Sequence, residues 1–277
     1  MGRGTYPDVP CHLDAAKRVV TSRFLSPAGS IASLFDILAI ESVLYHSFHA
    51  TAGLWSDPGQ PSYRFDLGLW TDAERLLRQS DAFDRSSGGR RSPVLGVPVS
   101  LLRLALSLTV LWRSPSPPRM TAMTDVGNEV QRWEEKMCHR SRLSSTSPQI
   151  KTREDECYRD SIVLYILSVS LLWMRISQAN TNPPSEASND WQVKEAVAIL
   201  QRHAEDDLWA RFYMCNWPTY TLGFFASSEG DRGVARGDLQ RRWDATRLAQ
   251  AARYVGDLEA SWASRDGLTV SRMGFSA

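Results

Sequence analysis

The chain has 277 residues, a formal net charge of +1, 43% hydrophobic residues and 23% charged residues. That apolar content supports a buried core and excludes a chain disordered throughout. The near-zero charge excludes a surface that wraps DNA along its whole length, since phosphate neutralisation supplies that affinity. The 10 tryptophans favour a packed interior or a partner surface.

In chain order, residues 1–10 read as a disordered N-terminus without an apolar signal region, so secretion is not expected. A helical pattern begins at CHLDAAKRVV. Ile31, Leu34, Phe35 and Leu38 follow as an i, i+3, i+4, i+7 stripe. SDPGQPSYR (56–64) and RSSGGRRSP (85–93) read as loops. Residues 94–112 form a long apolar run that contains Pro98 and Arg103. A basic Ser/Pro segment over 113–119 reads as a second flexible loop. Val126, Val130, Trp133 and Met137 mark a surface helix capped by Asp125. Loops at 141–149 and 180–190 bracket the apolar run SIVLYILSVSLLWM (161–174). Val193, Val197 and Leu200 make a third stripe, and Ala251, Val255, Leu258 and Trp262 a fourth. Pro218 after Trp217 interrupts or begins a helix, with Tyr220, Phe224 and Phe225 expected to cluster beside Trp217. Residues 268–277 read as a tail. No run of alternating strands with hairpin turns is present. The expected fold is all-α, an irregular multi-helix bundle in a single large domain over 11–267.

The two apolar runs are short or interrupted for a membrane span of about 20 apolar residues, so core helices are expected and no membrane association. Chemistry-bearing motifs are sparse. No phosphate-binding glycine loop, nucleophile elbow or H-E-x-x-H helix occurs. Cys11, Cys138, Cys157 and Cys215 form no C-x-x-C pair and read as free thiols. His46 and His49 share a helix face but have no third ligand nearby, and Cys138–His139 is isolated. Asp206 and Asp207 begin a D-D-x-x-D/E pattern that breaks at Ala210. The partner motif beginning at Asn189 and Asp190 has Val193 and Val197 where magnesium needs oxygen. Glu205, Asp206 and Asp207 therefore read as an acidic helix face. No residue is assigned a catalytic, cofactor-binding or metal-ligating role.

The C-terminal third resembles the fungal-specific transcription factor domain, the regulatory region found behind a zinc-binuclear-cluster module. The residues that carry this are Trp217, Pro218, Glu229, Asp231, Arg232, Trp243, Leu258, Glu259, Trp262, Arg265 and Asp266. His12, Leu13, Ala15 and Ala16 resemble the family's H-L-x-A-A helix, and Gly96, Pro98, Leu101 and Leu102 its G-x-P-x-x-L-L helix. The likeness runs in order over residues 11–267. The family's six clustered cysteines are absent. The expectation is a gene model truncated before the zinc cluster, or a protein acting without direct DNA contact.

The resemblance implies a nuclear transcriptional regulator controlling a metabolic or secondary-metabolite gene cluster, without catalytic activity of its own. Implied partners are a second copy, other transcription factors or co-regulators, and a small-molecule effector. Direct specific DNA binding by this chain is not expected. An all-helical biosynthetic enzyme and a membrane-associated helical protein stand as alternatives.

Overall fold

The structure, a computed structural model, describes residues 9–25, 31, 33–56, 66–79, 92, 94–114, 120–143, 152–179 and 190–273. The helices are α1 (Val9–Phe24), α2 (Leu34–Ala52), α3 (Leu67–Gln79), α4 (Val99–Arg113), α5 (Met120–Leu143), α6 (Arg153–Ala179), α7 (Trp191–Arg202), α8 (Asp207–Arg211), α9 (Asn216–Phe225), α10 (Glu229–Thr246) and α11 (Ala249–Met273). A 3-10 turn over Tyr213–Cys215 precedes α9. No strand occurs among the described residues. The fold is all-α, as the periodicity predicts. The chain divides into two compact units: Met1–Gly53 with Gly59–Val110, and Leu54–Pro58 with Leu111–Ala277.

In the first unit, α2 begins with a capping box. The Ser33 hydroxyl accepts from Asp36 N–H at 3.3 Å, and the Asp36 carboxylate accepts from Ser33 N–H at 2.9 Å. This start fixes the helix register, and the buried face is Ile37, Ile40, Val43, Leu44 and Phe48. The expected stripe is displaced: Leu34 and Phe35 are exposed, Phe35 at 81%. Gly53 ends the helix at φ 54°, a conformation that side-chain-bearing residues adopt only under strain. Glu41 is buried and accepts from Val94 N–H at 3.0 Å. Burial pushes its carboxyl above the usual range, against the opposing effect of that bond. Arg103, central in the apolar run, donates to Glu74 at 3.1 Å. Leu101, Leu102, Leu104 and Leu108 of α4 are all buried.

The second unit is organised on α6, which packs against α5, α7 and α9. Leu164, Leu167 and Leu171 of α6 join Val193, Ala196, Ile199 and Leu200 of α7 in one core with Trp209, Cys215 and Leu222. Each such aliphatic side chain contributes about 1.5–3 kcal/mol on burial. Arg153–Gln178 is the one helix among the described residues long and apolar enough to cross a membrane, and 72% of its apolar window is buried within the protein. Val130 and Trp133 of α5 are buried, as their stripe predicts. The helix starts at Met120, however, so Asp125 lies inside it and is not its cap.

The helix containing Trp217 and Pro218 starts at Asn216, so the proline occupies the first turn, where its missing N–H costs no helical bond. α9 is sheathed by α6, α7, α10 and α11. Trp217 stacks on Tyr165 at 5.6 Å between centroids, and Tyr220 stacks on Tyr254 at 4.0 Å. The two aromatics thus serve different neighbours and do not form the single cluster expected with Phe224 and Phe225. Gly223 lets α10 and α11 approach: a Cβ there would lie 2.9 Å from Ala235 Cβ and 3.3 Å from Leu258 Cδ1.

Residues 54–56 thread into this unit. Trp55 N–H donates to the Tyr220 hydroxyl at 2.5 Å, and the Trp55 indole donates to Thr221 at 3.3 Å. The Ser56 and Tyr220 hydroxyls both donate to Asp257. Arg113 donates to Leu54 C=O at 2.8 Å and lies over the Trp55 ring. It is therefore a packed helix terminus, where the sequence predicts the start of a flexible basic loop. The remaining loop expectations at 85–93, 113–119, 141–149 and 180–190 fall largely outside the described residues. Helix extends through residue 143 at one of them, through Val9 and Pro10 at the N-terminal boundary, and to Met273 at the C-terminal one.

Candidate functional site

The polar groups of the second unit converge where α6, α7 and α8 meet. On α6, Arg153, Cys157 and Asp160 are spaced i, i+4 and i+7, so they share one face. α7 stops at Arg202, and His203 follows as its C-cap. Asp206 then caps α8, its Oδ1 accepting from Leu208 N–H at 3.0 Å and Trp209 N–H at 3.3 Å. This reverses the expectation for Glu205, Asp206 and Asp207. They form a turn and a helix start, not one acidic helix face.

His203 is fully buried between two carboxylates. Its Nε2 lies 2.8 Å from Asp160 Oδ2, and its Nδ1 lies 3.1 Å from Asp206 Oδ2. The ring is stacked on Trp209, 4.1 Å between centroids and 8° between planes. Arg202 reaches Asp160 Oδ2 at 2.7 Å and Arg159 reaches Oδ1 at 3.2 Å. Arg153 reaches Asp206 Oδ2 at 2.8 Å. Burial pushes the Asp160 carboxyl up, but the His203 bond and the Arg202 and Arg159 charges outweigh it, and its pKa falls below the usual value. Asp206 is lowered in the same way, burial being outweighed by His203, the Trp209 amide and Arg153.

The Cys157 sulfur lies 3.6 Å from the same Asp206 oxygen. Burial and that neighbouring carboxylate push the thiol up to about 12. The protonated thiol is thereby favoured, the opposite of what a nucleophilic cysteine requires. Cys157 Sγ, His203 Nδ1 and an Asp206 carboxylate oxygen lie within 4.8 Å of one another.

Behind the ring stack, Trp209 Nε1 donates to Asp238 Oδ1 at 2.9 Å. The buried Arg242 donates from Nε to Asp238 Oδ2 at 2.6 Å and from Nη1 to Trp209 C=O at 3.0 Å. Arg241 adds a bond to Asp238 at 3.2 Å. These pairs tie α8 to α10, and every charge among them has a hydrogen-bonded partner of opposite sign, as buried ions require.

In front of the network, a pocket of about 480 Å³ opens between α5, α6 and α7. Ile162, Ile166 and Ile199 form its apolar floor. Trp133 and Trp191 stand at its walls, Trp191 being 49% exposed. Lys136, Arg159 and Arg202 bring three cations to it, against Asp160 and Glu195. Arg159 and Arg202 both pair with Asp160, so the lining carries a net excess of one positive charge beside its apolar surface. Such a cavity suits a small amphipathic anion.

Of the residues singled out in sequence, His46 and His49 lie on α2. His49 packs edge-on to Tyr45, and burial together with His46 lowers its pKa to about 3. Cys138 is exposed and lines the pocket, while the side chain of His139 lies outside the described residues. Asp190 pairs with Arg175 and Asp206 with Arg153, so two of the three acids of the broken magnesium motifs serve separate cations. Sequence reasoning missed Cys157, Asp160 and His203. Their signals, C-x-x-D at 157–160 and H-x-x-D at 203–206, are short and 46 residues apart, and only the fold joins them.

The residues behind the transcription-factor resemblance also meet. Arg232 makes a two-bond pair with Asp266 at 2.7 and 3.1 Å. Trp262 Nε1 donates to Gly223 C=O at 3.1 Å, and Arg265 donates to Phe224 C=O at 2.6 Å. Leu258, Trp262 and Trp217 are each buried, Trp217 against Tyr165 of α6. Comparison with known proteins finds no matching family model, no matching curated protein and no matching solved structure.

Proposed function

We propose that this chain is the regulatory part of a transcriptional regulator of the fungal-specific type, and that it acts by binding a small molecule. The observation that supports this reading is the meeting of four resemblance residues, Arg232, Trp262, Arg265 and Asp266, in one packed corner. Arg232 on α10 pairs with Asp266 and lies over the Trp262 ring on α11, while Trp262 and Arg265 donate to carbonyls of α9.

The pocket between α5 and α7 is the proposed effector site. A carboxylated or phosphorylated amphipathic ligand would set its charge against Arg159, Arg202 and Lys136, and its apolar body on Ile162 and Ile166. Competition for Arg202 would loosen its bond to Asp160, and through Asp160 alter the hold on His203. Output to a co-regulator or a second copy, in the nucleus, completes the reading. The chain is proposed to contribute no catalysis and no specific DNA contact.

The test places the full chain behind a heterologous DNA-binding module and reads a reporter. Reporter output that changes with the chain attached, and that Arg202→Ala or Ile166→Asp alters without loss of protein, is the expected result. Output indistinguishable from the module alone would refute the regulatory reading. In gel shifts the unfused chain should bind random and promoter duplexes alike, weakly, with affinity falling steeply as salt rises.

A further inference from the structure

We propose that Cys157, His203 and Asp206 form a binding site for a divalent transition-metal ion, best suited to zinc, in which Arg153 holds the cation position when no metal is bound. The inference is independent of the transcriptional reading. It rests on donor chemistry, spacing, orientation and the position of one guanidinium group.

The donor set is one sulfur, one imidazole nitrogen and one carboxylate oxygen, a mixture that suits zinc better than the oxygen-seeking magnesium or calcium. With zinc bonds of about 2.0–2.3 Å, tetrahedral ligands stand roughly 3.3–3.5 Å apart. The observed separations, 3.1 Å for His203 Nδ1 to Asp206 Oδ2 and 3.6 Å for Cys157 Sγ to the same oxygen, bracket that value. The third pair, Cys157 Sγ and His203 Nδ1, lies within 4.8 Å, so closing the shell brings the sulfur and the ring toward each other.

Orientation favours the same atoms. A metal-ligating histidine ordinarily gives its other N–H to a carboxylate, which fixes the ring and raises its donor strength. Here Nε2 faces Asp160 at 2.8 Å, leaving Nδ1 toward the sulfur and Asp206. Asp160 is itself oriented by Arg159 and Arg202, and Trp209 holds the ring plane. Asp206 has one oxygen committed to capping α8 and the other turned to the site.

Arg153 stands where an incoming cation would have to compete. Its Nη2 is 2.8 Å from Asp206 Oδ2 and 3.4 Å from His203 Nδ1. The side chain is 47% exposed and also bonds Glu156 at 2.7 Å, so it can swing outward and keep a carboxylate partner. Metal entry would release to solvent both the Cys157 proton and the Nδ1 proton that His203 directs at Asp206, and thiolate plus carboxylate would balance the ion's two charges. Three protein ligands leave a fourth position for water or an exogenous group.

The experiment titrates the purified full chain, stripped with chelator, with cobalt(II) as the visible probe. A thiolate-to-cobalt charge-transfer band with intense tetrahedral d–d bands, reaching one equivalent and displaced by zinc, is expected. Cys157→Ser should abolish the charge-transfer band, whereas Cys215→Ser and Cys138→Ser should retain it. Asp160→Asn should weaken binding by about 10–100-fold. Arg153→Ala should tighten it. Circular dichroism of each variant separates lost folding from lost ligation. X-ray absorption of the zinc-loaded wild type requires no substitution and should read one sulfur at about 2.3 Å with nitrogen and oxygen near 2.0 Å. No band with the wild type, a band that survives Cys157→Ser, or a zinc shell without sulfur would each overturn the proposal.

Discussion

The indole of Trp209 lies flat on the imidazole of His203, with 4.1 Å between the rings, while its N–H points away to Asp238 at 2.9 Å. One side chain thus connects two buried polar groups, and its other neighbour is Arg242, 4.8 Å from the ring. Trp209→Ala should cost about 3–5 kcal/mol through loss of packing alone. Trp209→Phe preserves a flat ring and loses one bond, and should cost about 1–3 kcal/mol. Urea unfolding of the two variants checks the order. Equal losses would mean that the Asp238 bond outweighs the stacked surface.

Glycines on neighbouring helices should respond to alanine with opposite signs. At Gly223 a Cβ would meet Ala235 Cβ at 2.9 Å, and Gly223→Ala should destabilise by about 1–3 kcal/mol. At Gly233, inside α10, nothing lies within 4 Å, and Gly233→Ala should stabilise by about 0.5–1 kcal/mol. Thermal melts of the pair decide. A stabilising shift for Gly223→Ala would contradict the close approach of α9 and α10.

Thiol reagents should divide the cysteines in half. Cys11 and Cys138 are exposed, whereas Cys157 and Cys215 are buried. Burial pushes Cys215, like Cys157, up to about 12. In the native chain two of the four thiols should react promptly, and all four in denaturant. Mass mapping of the alkylated peptides identifies which.

Acid should weaken the start of α10. Burial raises the Asp231 carboxyl, but the bond from Lys194 at 2.7 Å and one from the Ser228 hydroxyl outweigh it, and the pKa is lowered from 3.8. A group depressed in the folded state stabilises it above the unfolded value, and that stability is lost as pH falls through 3.8 toward the folded pKa. Asp231→Asn should therefore cost about 0.5–1 kcal/mol at neutral pH. The difference from wild type should close in acid. Urea midpoints across that range measure it, and a gap that stays constant would show that the charge is irrelevant.

α11 was legible in sequence because Ala251, Leu258 and Trp262 are set against Arg253, Glu259 and Asp266, so polarity and burial coincide. α2 was legible as a helix but not in register. LFDILAIESVL is apolar around much of its circumference, and the choice of face falls to Ser33 and Asp36, whose mutual bonds fix where the helix begins. The pocket floor was half visible: Ile162 and Ile166 lie in the apolar run 161–174, but that run carries no mark distinguishing a lining residue from a core one. Cys157 and His203 were out of reach of local pattern, because their relationship depends on α7 ending at Arg202 and turning back on α6.

The attachment of Trp55 and Ser56 to Tyr220 and Asp257 sets an order of events at the ribosome. Residues 54–56 emerge early, yet their partners lie 165 and 201 positions later. Until α9 has been synthesised the Trp55 amide has only water for company, until α11 has been synthesised the Ser56 hydroxyl lacks Asp257, and α9 lacks Tyr254 as a stacking partner. The second unit therefore closes only after translation is almost complete. A fragment started at residue 111 would never close it in the same way, since Tyr220 and Asp257 would keep each other but lose the strand of chain that caps them. Nascent chains stalled before Asp257 should accordingly remain sensitive to protease around Trp55, and chains released at full length should not.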